Sequence, residues 1–216
     1  MAESELAFEL IDTDSTDRRF QQRLSALFSG DGTIYLVSGY FTQQGYRSIR
    51  NDIRSFLERS QANRLILVVG PSSDQFSSRI AHDLWSMDHA AQIEIYKQPR
   101  GLHAKLYLRD GPDPRCIIGS ANITQVAFEY NIELNIELRE LGDDPSTLEP
   151  FRDWVEELVA KSSRLRRRDI LPPVLILGSM IKWSNKARIL PVRHVALRVI
   201  PLIVLLLVFT SAARIF

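Results

Sequence analysis

His103 and Lys105 are separated by one residue, so on an extended strand their side chains leave from the same face. Gly119-Ser120-Ala121-Asn122 follows a second apolar run, and Ser120 and Asn122 alternate outward in the same way. The turn sequence Gly111-Pro112-Asp113-Pro114 lies between the two runs. A hairpin can therefore bring His103, Lys105, Ser120 and Asn122 to one point. An imidazole works near neutral pH as nucleophile or base. An ammonium is a point charge suited to phosphate. Two uncharged donors can hold the remaining phosphoryl oxygens, and the small residues Gly119 and Ala121 let a ligand approach the backbone. The set matches a phosphoryl group whose charge spreads over its oxygens in the transition state. No carboxylate cluster in the sequence suggests a divalent metal, so the covalent work falls to the histidine and no cofactor is expected.

These side chains need a rigid frame. Thr33 to Thr42 is rich in β-branched and aromatic residues and reads as a strand. Gln44 to Arg59 carries Tyr46, Ile49, Ile53, Phe56 and Leu57 at helical spacing. Arg64 to Val69 is a short apolar run of the buried-strand type. Gln75 to Met87 reads as a helix. Ala91 to Tyr96, Ala104 to Leu108, Arg115 to Ile118 and Asn131 to Leu138 read as strands, and Leu148 to Lys161 as a closing amphipathic helix. Alternating strands and helices followed by a run of strands predict an α/β fold, a mixed β-sheet sandwiched by helices. Residues 1–17 read as a loosely tied leading segment, 18–161 as the catalytic domain, and 162–216 as a basic, apolar tail.

His103-Ala-Lys105 with Asp110 fits the H-x-K-x4-D pattern of the phospholipase D superfamily, and Gly119-Ser-Ala-Asn122 fits its G-S-x-N continuation. The chain thus resembles a nuclease-like member of that family carrying a single motif. The likeness is strong over residues 100–138 and extends weakly to the strand Tyr35 to Thr42. Eight residues separate Asp110 from Gly119, two more than the pattern usually has, and the excess falls in the Gly-Pro-Asp-Pro turn, where length is cheap. The resemblance implies that His103 attacks phosphorus to form a phosphohistidine. It implies that Lys105 and Asn122 bind phosphoryl oxygens with Ser120 assisting, beside Gly119, and that Asp110 is mainly structural within the catalytic motif. In small members a glutamate eleven residues past the Asn orients the histidine. Glu133 lies at that offset, with Glu137 as the alternative on the same face. The family reaction uses two histidines, so a single-motif chain implies a homodimer with one composite site at the twofold axis.

Other features are read more plainly. Cys116 cannot form an internal bridge and reads as a small core residue in a reducing, cytoplasmic compartment. His82 and His89 read as solvated, and Tyr40 and Phe41 as core or pocket wall rather than base-stacking residues. No secretory signal opens the chain, since Met1 to Asp17 is acidic and lacks a long apolar run. The net charge of +1 hides an asymmetry. From Met1 to Ala160, 16 Lys/Arg face 25 Asp/Glu, leaving −9; from Lys161 to Phe216, 11 face 1, leaving +10. An acidic body argues against strong nonspecific DNA binding, although Lys97, Arg100, Arg109 and Arg115 cluster about the motif in sequence and could form a local positive groove.

The tail has three readings: a membrane anchor at residues 195–213, a covered hydrophobic extension, or a frameshifted or truncated end. The leading expectation is a metal-independent phosphodiesterase acting on nucleic acid, DNA ahead of RNA. Membrane-anchored phospholipase or phosphatidyl-transferase chemistry, and a non-catalytic phosphate-binding module of a DNA-processing complex, are the alternatives. A helicase-like partner module fits the last.

Overall fold

The computed structural model describes residues 5–12, 19–71, 76–141 and 147–170. The tail from residue 171, and with it the expected anchor at 195–213, lies outside the described residues. Among the described residues no helix is long and apolar enough to cross a membrane.

In chain order the elements are β1 (Glu5–Asp12), α1 (Arg19–Leu27), β2 (Thr33–Ser38), α2 (Gln43–Arg59), β3 (Arg64–Val69), α3 (Ser78–Leu84), β4 (Ile93–Lys97), β5 (Lys105–Asp110), β6 (Arg115–Gly119), α4 (Gln125–Glu129), β7 (Leu134–Leu141), α5 (Glu149–Ala160) and β8 (Ser163–Arg164). The strands form one sheet in the order β1-β7-β6-β5-β2-β3-β4-β8. β2, β3 and β4 run parallel and are joined through α2 and α3. All other neighbours are antiparallel. The mixed sheet between helices expected from the sequence is the observed architecture.

Strand parity divides the core in two. Ile34 and Leu36 of β2, Leu65 and Leu67 of β3, and Tyr107 and Ile117 of the β5–β6 hairpin face α1 to α4. Tyr35, Val37, Val68, Leu106, Leu108 and Cys116 face α5. α2 forms because Tyr46, Ile49, Ile53, Phe56 and Leu57 make one buried stripe. Thr42 caps it by accepting from the Gly45 N–H at 3.3 Å. Cys116 is fully buried among apolar neighbours, which pushes its thiol up to about 12, as befits a core residue.

Three parts of the fold depart from the sequence reading. The leading segment is not loose at residues 5–12: β1 pairs with β7 along its whole length, from Glu5↔Leu141 to Asp12↔Leu134. β2 stops at Ser38 rather than running to Thr42, because the Ser38 hydroxyl donates to the Tyr40 carbonyl at 2.7 Å and turns the chain out of the ladder. Residues 131–133 precede β7 as part of the turn after α4, held by the Asn131 N–H on the Val126 carbonyl at 2.8 Å. α1 and the five-residue α4 add further cover to the face occupied by α2 and α3.

Arg109 is the largest fully buried side chain. It does not line a positive groove. Its guanidinium donates to the Leu27 carbonyl at the end of α1 (3.0 Å) and to the Asp113 carbonyl (2.6 Å) and carboxylate (2.5 Å). It thereby satisfies carbonyls that the helix end leaves open. Arg115 is likewise committed to Asp113 at 2.7 Å. Arg109→Met should leave the Leu27 carbonyl without this donor inside the core, and lower unfolding free energy by about 2 kcal/mol in urea melts.

Candidate active site

The C-terminal ends of β2, β3 and β4 lie on the same edge of the sheet as the start of β5, since Ser38 pairs with Lys105. β4 returns past β2 to reach β5, so the strand order reverses there. Ligand crevices form at such a reversal, beyond the carboxyl ends of parallel strands.

His103 sits just ahead of β5 and is exposed, whereas Lys105 is the first residue of the strand and is buried. The Lys105 Nζ donates to the His103 carbonyl at 2.5 Å and lies 3.2 Å from its Nδ1. The two groups therefore share a side, as the one-residue spacing requires. Burial lowers the Lys105 pKa, and the Glu133 carboxylate opposes that shift. Gly39 makes the approach feasible: a Cβ there would come within 2.5 Å of the Leu102 carbonyl, so only glycine lets β2's exit pass under the residue before His103.

Asn122 is fixed from behind. Its Oδ1 accepts from the Tyr40 N–H at 3.1 Å and lies 3.3 Å from the Ser38 hydroxyl. Because the Tyr40 N–H can only donate, the Asn122 Nδ2 is the group left to face the crevice. Ala121 is anchored at both backbone polar atoms. Its N–H donates to Asn135 Oδ1 at 3.2 Å, and its carbonyl accepts from the buried Tyr107 hydroxyl at 2.7 Å. Ser120 is exposed; its hydroxyl donates to Glu133 and accepts from the Leu134 N–H at 3.1 Å. Glu133 is buried and also accepts from Asn131 Nδ2 at 2.9 Å.

His103, Lys105, Ser120, Asn122 and Glu133 thus belong to one edge of the sheet. Asp110 does not. It ends β5 on the opposite edge and on the opposite face from Lys105, where it binds Arg152 of α5 at 2.7 Å. Its carboxylate holds a helix and does not reach the crevice, so the mainly structural part expected of it within the catalytic motif is played at α5. Glu137 is displaced too, four residues along β7 from Glu133. It is buried among Arg139 (2.9 Å), Arg23 (3.6 Å) and Arg115 (3.8 Å). Gly119 and Ala121 are small for internal reasons. A Cβ on Gly119 would lie 2.4 Å from Asn135 Oδ1, and Ala121 is buried in the core.

Phe41 is core, as expected, while Tyr40 is exposed beside Asn122. His82 and His89 are half-buried and distant in sequence from the crevice. Of the four cations expected around the motif, Lys97 and Arg100 remain on this edge, because they end β4 and begin the loop to His103. Ser38, Tyr107 and Asn135 were missed. Ser38 and Tyr107 are polar groups within apolar runs, a signal that could have found them, whereas Asn135 lies among Glu133, Glu137 and Arg139 and nothing in its neighbours marks it.

A family model described as cardiolipin synthase, PLD-like domain, matches residues 24–158, more than half of the chain. The fold is similar to that of NucT from Helicobacter pylori, with a TM-score of 0.58 and 15% identity, covering 74% of this chain and 100% of that one. It is similar to Nuc, a phospholipase D family member from Salmonella typhimurium, with a TM-score of 0.58 and 16% identity, covering 75% and 99%. Phosphatidylserine synthase from Haemophilus influenzae Rd KW20 matches at a TM-score of 0.61 and 14% identity, over 83% of this chain and 46% of that one. No curated protein sequence matches.

Neutralising Glu137 separates the two carboxylates experimentally. Glu137→Gln should cost about 2 kcal/mol of stability through its charge-assisted hydrogen bonds. It should leave the titration of Lys105, followed by NMR, unchanged, whereas Glu133→Gln should lower the Lys105 pKa further.

Proposed function

The chain belongs to the phospholipase D-like family, and we propose that it is a metal-independent phosphodiesterase cleaving nucleic acid, DNA ahead of RNA, through a phosphohistidine. The observation that carries this reading is the exposed His103 ring 3.2 Å from the buried Lys105 ammonium. In the proposed reaction a ring nitrogen of His103 attacks phosphorus. The N–P bond forms as the ester P–O bond breaks, and the departing oxygen takes a proton from a second histidine. Water, losing a proton to the now neutral second histidine, then attacks the phosphohistidine, the P–N bond breaks, and the phosphomonoester leaves. Lys105 and the Asn122 amide neutralise and orient the non-bridging oxygens. Ser120 assists them once its hydroxyl proton, held by Glu133 in the free protein, turns to the phosphoryl group.

The second histidine is His103 of an identical subunit. A twofold axis that merges two such crevices must bury the surface beside them. The exposed residues Tyr130, Ile132 and Leu134 adjoin Ser120 and Glu133, with Ile132 at 81% exposure. Phe8 and Leu10 of the neighbouring edge strand continue the apolar surface. Isolated exposed apolar residues are ordinary, but a contiguous group marks a contact surface. A cytoplasmic location is part of the proposal and is supported by the single, unbridged Cys116; the lipid alternative draws on tail residues outside the described ones.

Cleavage of an oligonucleotide should persist in excess EDTA and be abolished by His103→Ala. Rapid-quench labelling should place on His103 a base-stable, acid-labile adduct whose phosphorus is still esterified to one strand. Activity lost on chelation but retained in His103→Ala would overturn the mechanism. Lys105→Met should fold and be inactive. Because burial lowers the Lys105 pKa, kcat/KM should fall on the alkaline side below the ordinary lysine range. The same shift makes stability rise with pH there, since the unfolded lysine binds more protons than the folded one. Ile132→Asp should yield a monomer by sedimentation and lose at least tenfold in activity.

A further inference from the structure

The acidic body leaves open where a polyanion makes contact away from the reacting phosphate. Residues 161–170 hold five basic side chains, Lys161, Arg164, Arg166, Arg167 and Arg168, against one acidic, Asp169. Ser163 and Arg164 form β8, the outermost strand of the sheet, paired with Lys97 and Tyr96 of β4. The Leu165 N–H continues the pairing to the Ile95 carbonyl at 2.8 Å. Residues 163–165 are therefore extended along the sheet edge, and Arg167–Asp169 close the segment in one 3-10 turn, so its cations form a short exposed stretch on the outermost flank of the sheet.

Little of this charge is neutralised. Arg164 meets Glu94 at 3.2 Å, Lys161 pairs with Glu157, and Arg168 lies 4.0 Å from Asp169. Among the described residues Arg166 and Arg167 have no carboxylate partner, and Arg167 donates instead to the Trp85 carbonyl at 3.0 Å. All four arginines are exposed. Arg164, Arg166 and Arg167 border a groove of about 480 Å³ with Trp85 and Glu94.

The segment starts at the crevice edge and runs away from it, because β8 is antiparallel to β4. β8 begins beside Lys97, at the sheet edge where His103 lies. Gln98, at the head of the loop that carries Arg100 to His103, reaches Ser162 Oγ at 3.5 Å. β8 stands four strand spacings from β5, roughly 19 Å across the sheet, and Arg166 to Arg168 lie further off, toward the start of β4. That distance exceeds the reach of one phosphodiester but suits a chain of several.

We infer that the edge formed by β8 and residues 164–168, continued by Lys97 and Arg100, is a nucleic-acid backbone track that holds a substrate strand remote from the scissile phosphate. The inference rests on the proposed function in taking the polyanion to be nucleic acid. Consecutive exposed arginines on one flank of the sheet, joined to the crevice edge through Lys97, fit a chain-like polyanion, each phosphate contact releasing counterions.

The test compares wild type with R166E/R168E, using R166Q/R168Q if the reversal alters melting. Fluorescence anisotropy measures binding of single strands of about thirty and about four nucleotides across a salt series. The long strand should bind the variant at least tenfold more weakly, with a salt slope smaller by about 1.4 for two lost contacts at roughly 0.7 each. Binding of the short strand, and hydrolysis of bis(p-nitrophenyl) phosphate, should not change. Equal affinity for the long strand in a normally melting variant would overturn the track. So would arginine-dependent binding of phosphatidylglycerol vesicles without binding of oligonucleotide. If the track binds as described while neither diester is cleaved, it is the catalytic reading that fails.

Discussion

A lysine ammonium held out of water at the end of a strand is the constraint from which the rest of the crevice follows. Lys105 is buried, and its nitrogen is met by the His103 carbonyl and ring. A carbonyl and an imidazole satisfy hydrogens without supplying a counter-charge, and Glu133 contributes only a partial electrostatic offset. A cation in that state is costly unless an anion completes it. A phosphoryl group entering between Lys105 and Asn122 would supply the missing charge where two donors already point. The energy withheld from stability is thereby available for binding, and more of it as negative charge builds on the oxygens.

That arrangement needs a backbone that does not give. The loop carrying Ser120 to Asn122 has no regular structure of its own, yet it is clamped by groups from three strands. Tyr107 of β5 and Asn135 of β7 take the two polar atoms of Ala121, and Ser38 of β2 accepts from the Ile123 N–H at 3.2 Å. Each clamp is a buried polar side chain, and each is placed by strand parity on the face shared with Lys105. The opposite edge of the same hairpin does different work. There Arg109, Asp113, Arg115 and Glu137 form ion pairs, and Asp110 holds α5. One linear motif therefore serves two ends of one β-ribbon, chemistry at the start of β5 and architecture at its end.

This division explains what could be read beforehand. Period-two alternation placed His103 and Lys105 together, and the helical stripe of α2 was explicit in its residues. The separation of Asp110 from them also follows from parity and from a five-residue rise along the strand, roughly 17 Å, but a motif read as a unit conceals it. Glu133 and Glu137 are indistinguishable in sequence because they share a face. Only the partners across β6 and α1, three arginines far apart in the chain, separate a structural carboxylate from one at the crevice. β1 was hidden because its apolar side chains Phe8 and Leu10 face outward while Ile11 enters the core. The usual rule of an apolar inner face is inverted on that edge, and an inverted pattern preceded by acidic residues does not announce a strand.

The same sheet carries apolar surface on one flank and basic charge on the other, with the crevice between them. β1 and β7 lie toward one side of β5, and β4 and β8 toward the other. A second subunit seated on the apolar flank would leave the basic flank of each protomer facing outward, so that two stretches of arginine would diverge from one axis. An acidic body between them repels a polyanion everywhere else. Weak overall attraction is then compatible with productive binding, because the strand would be excluded from most of the surface and admitted only along the basic flank that starts at the crevice edge.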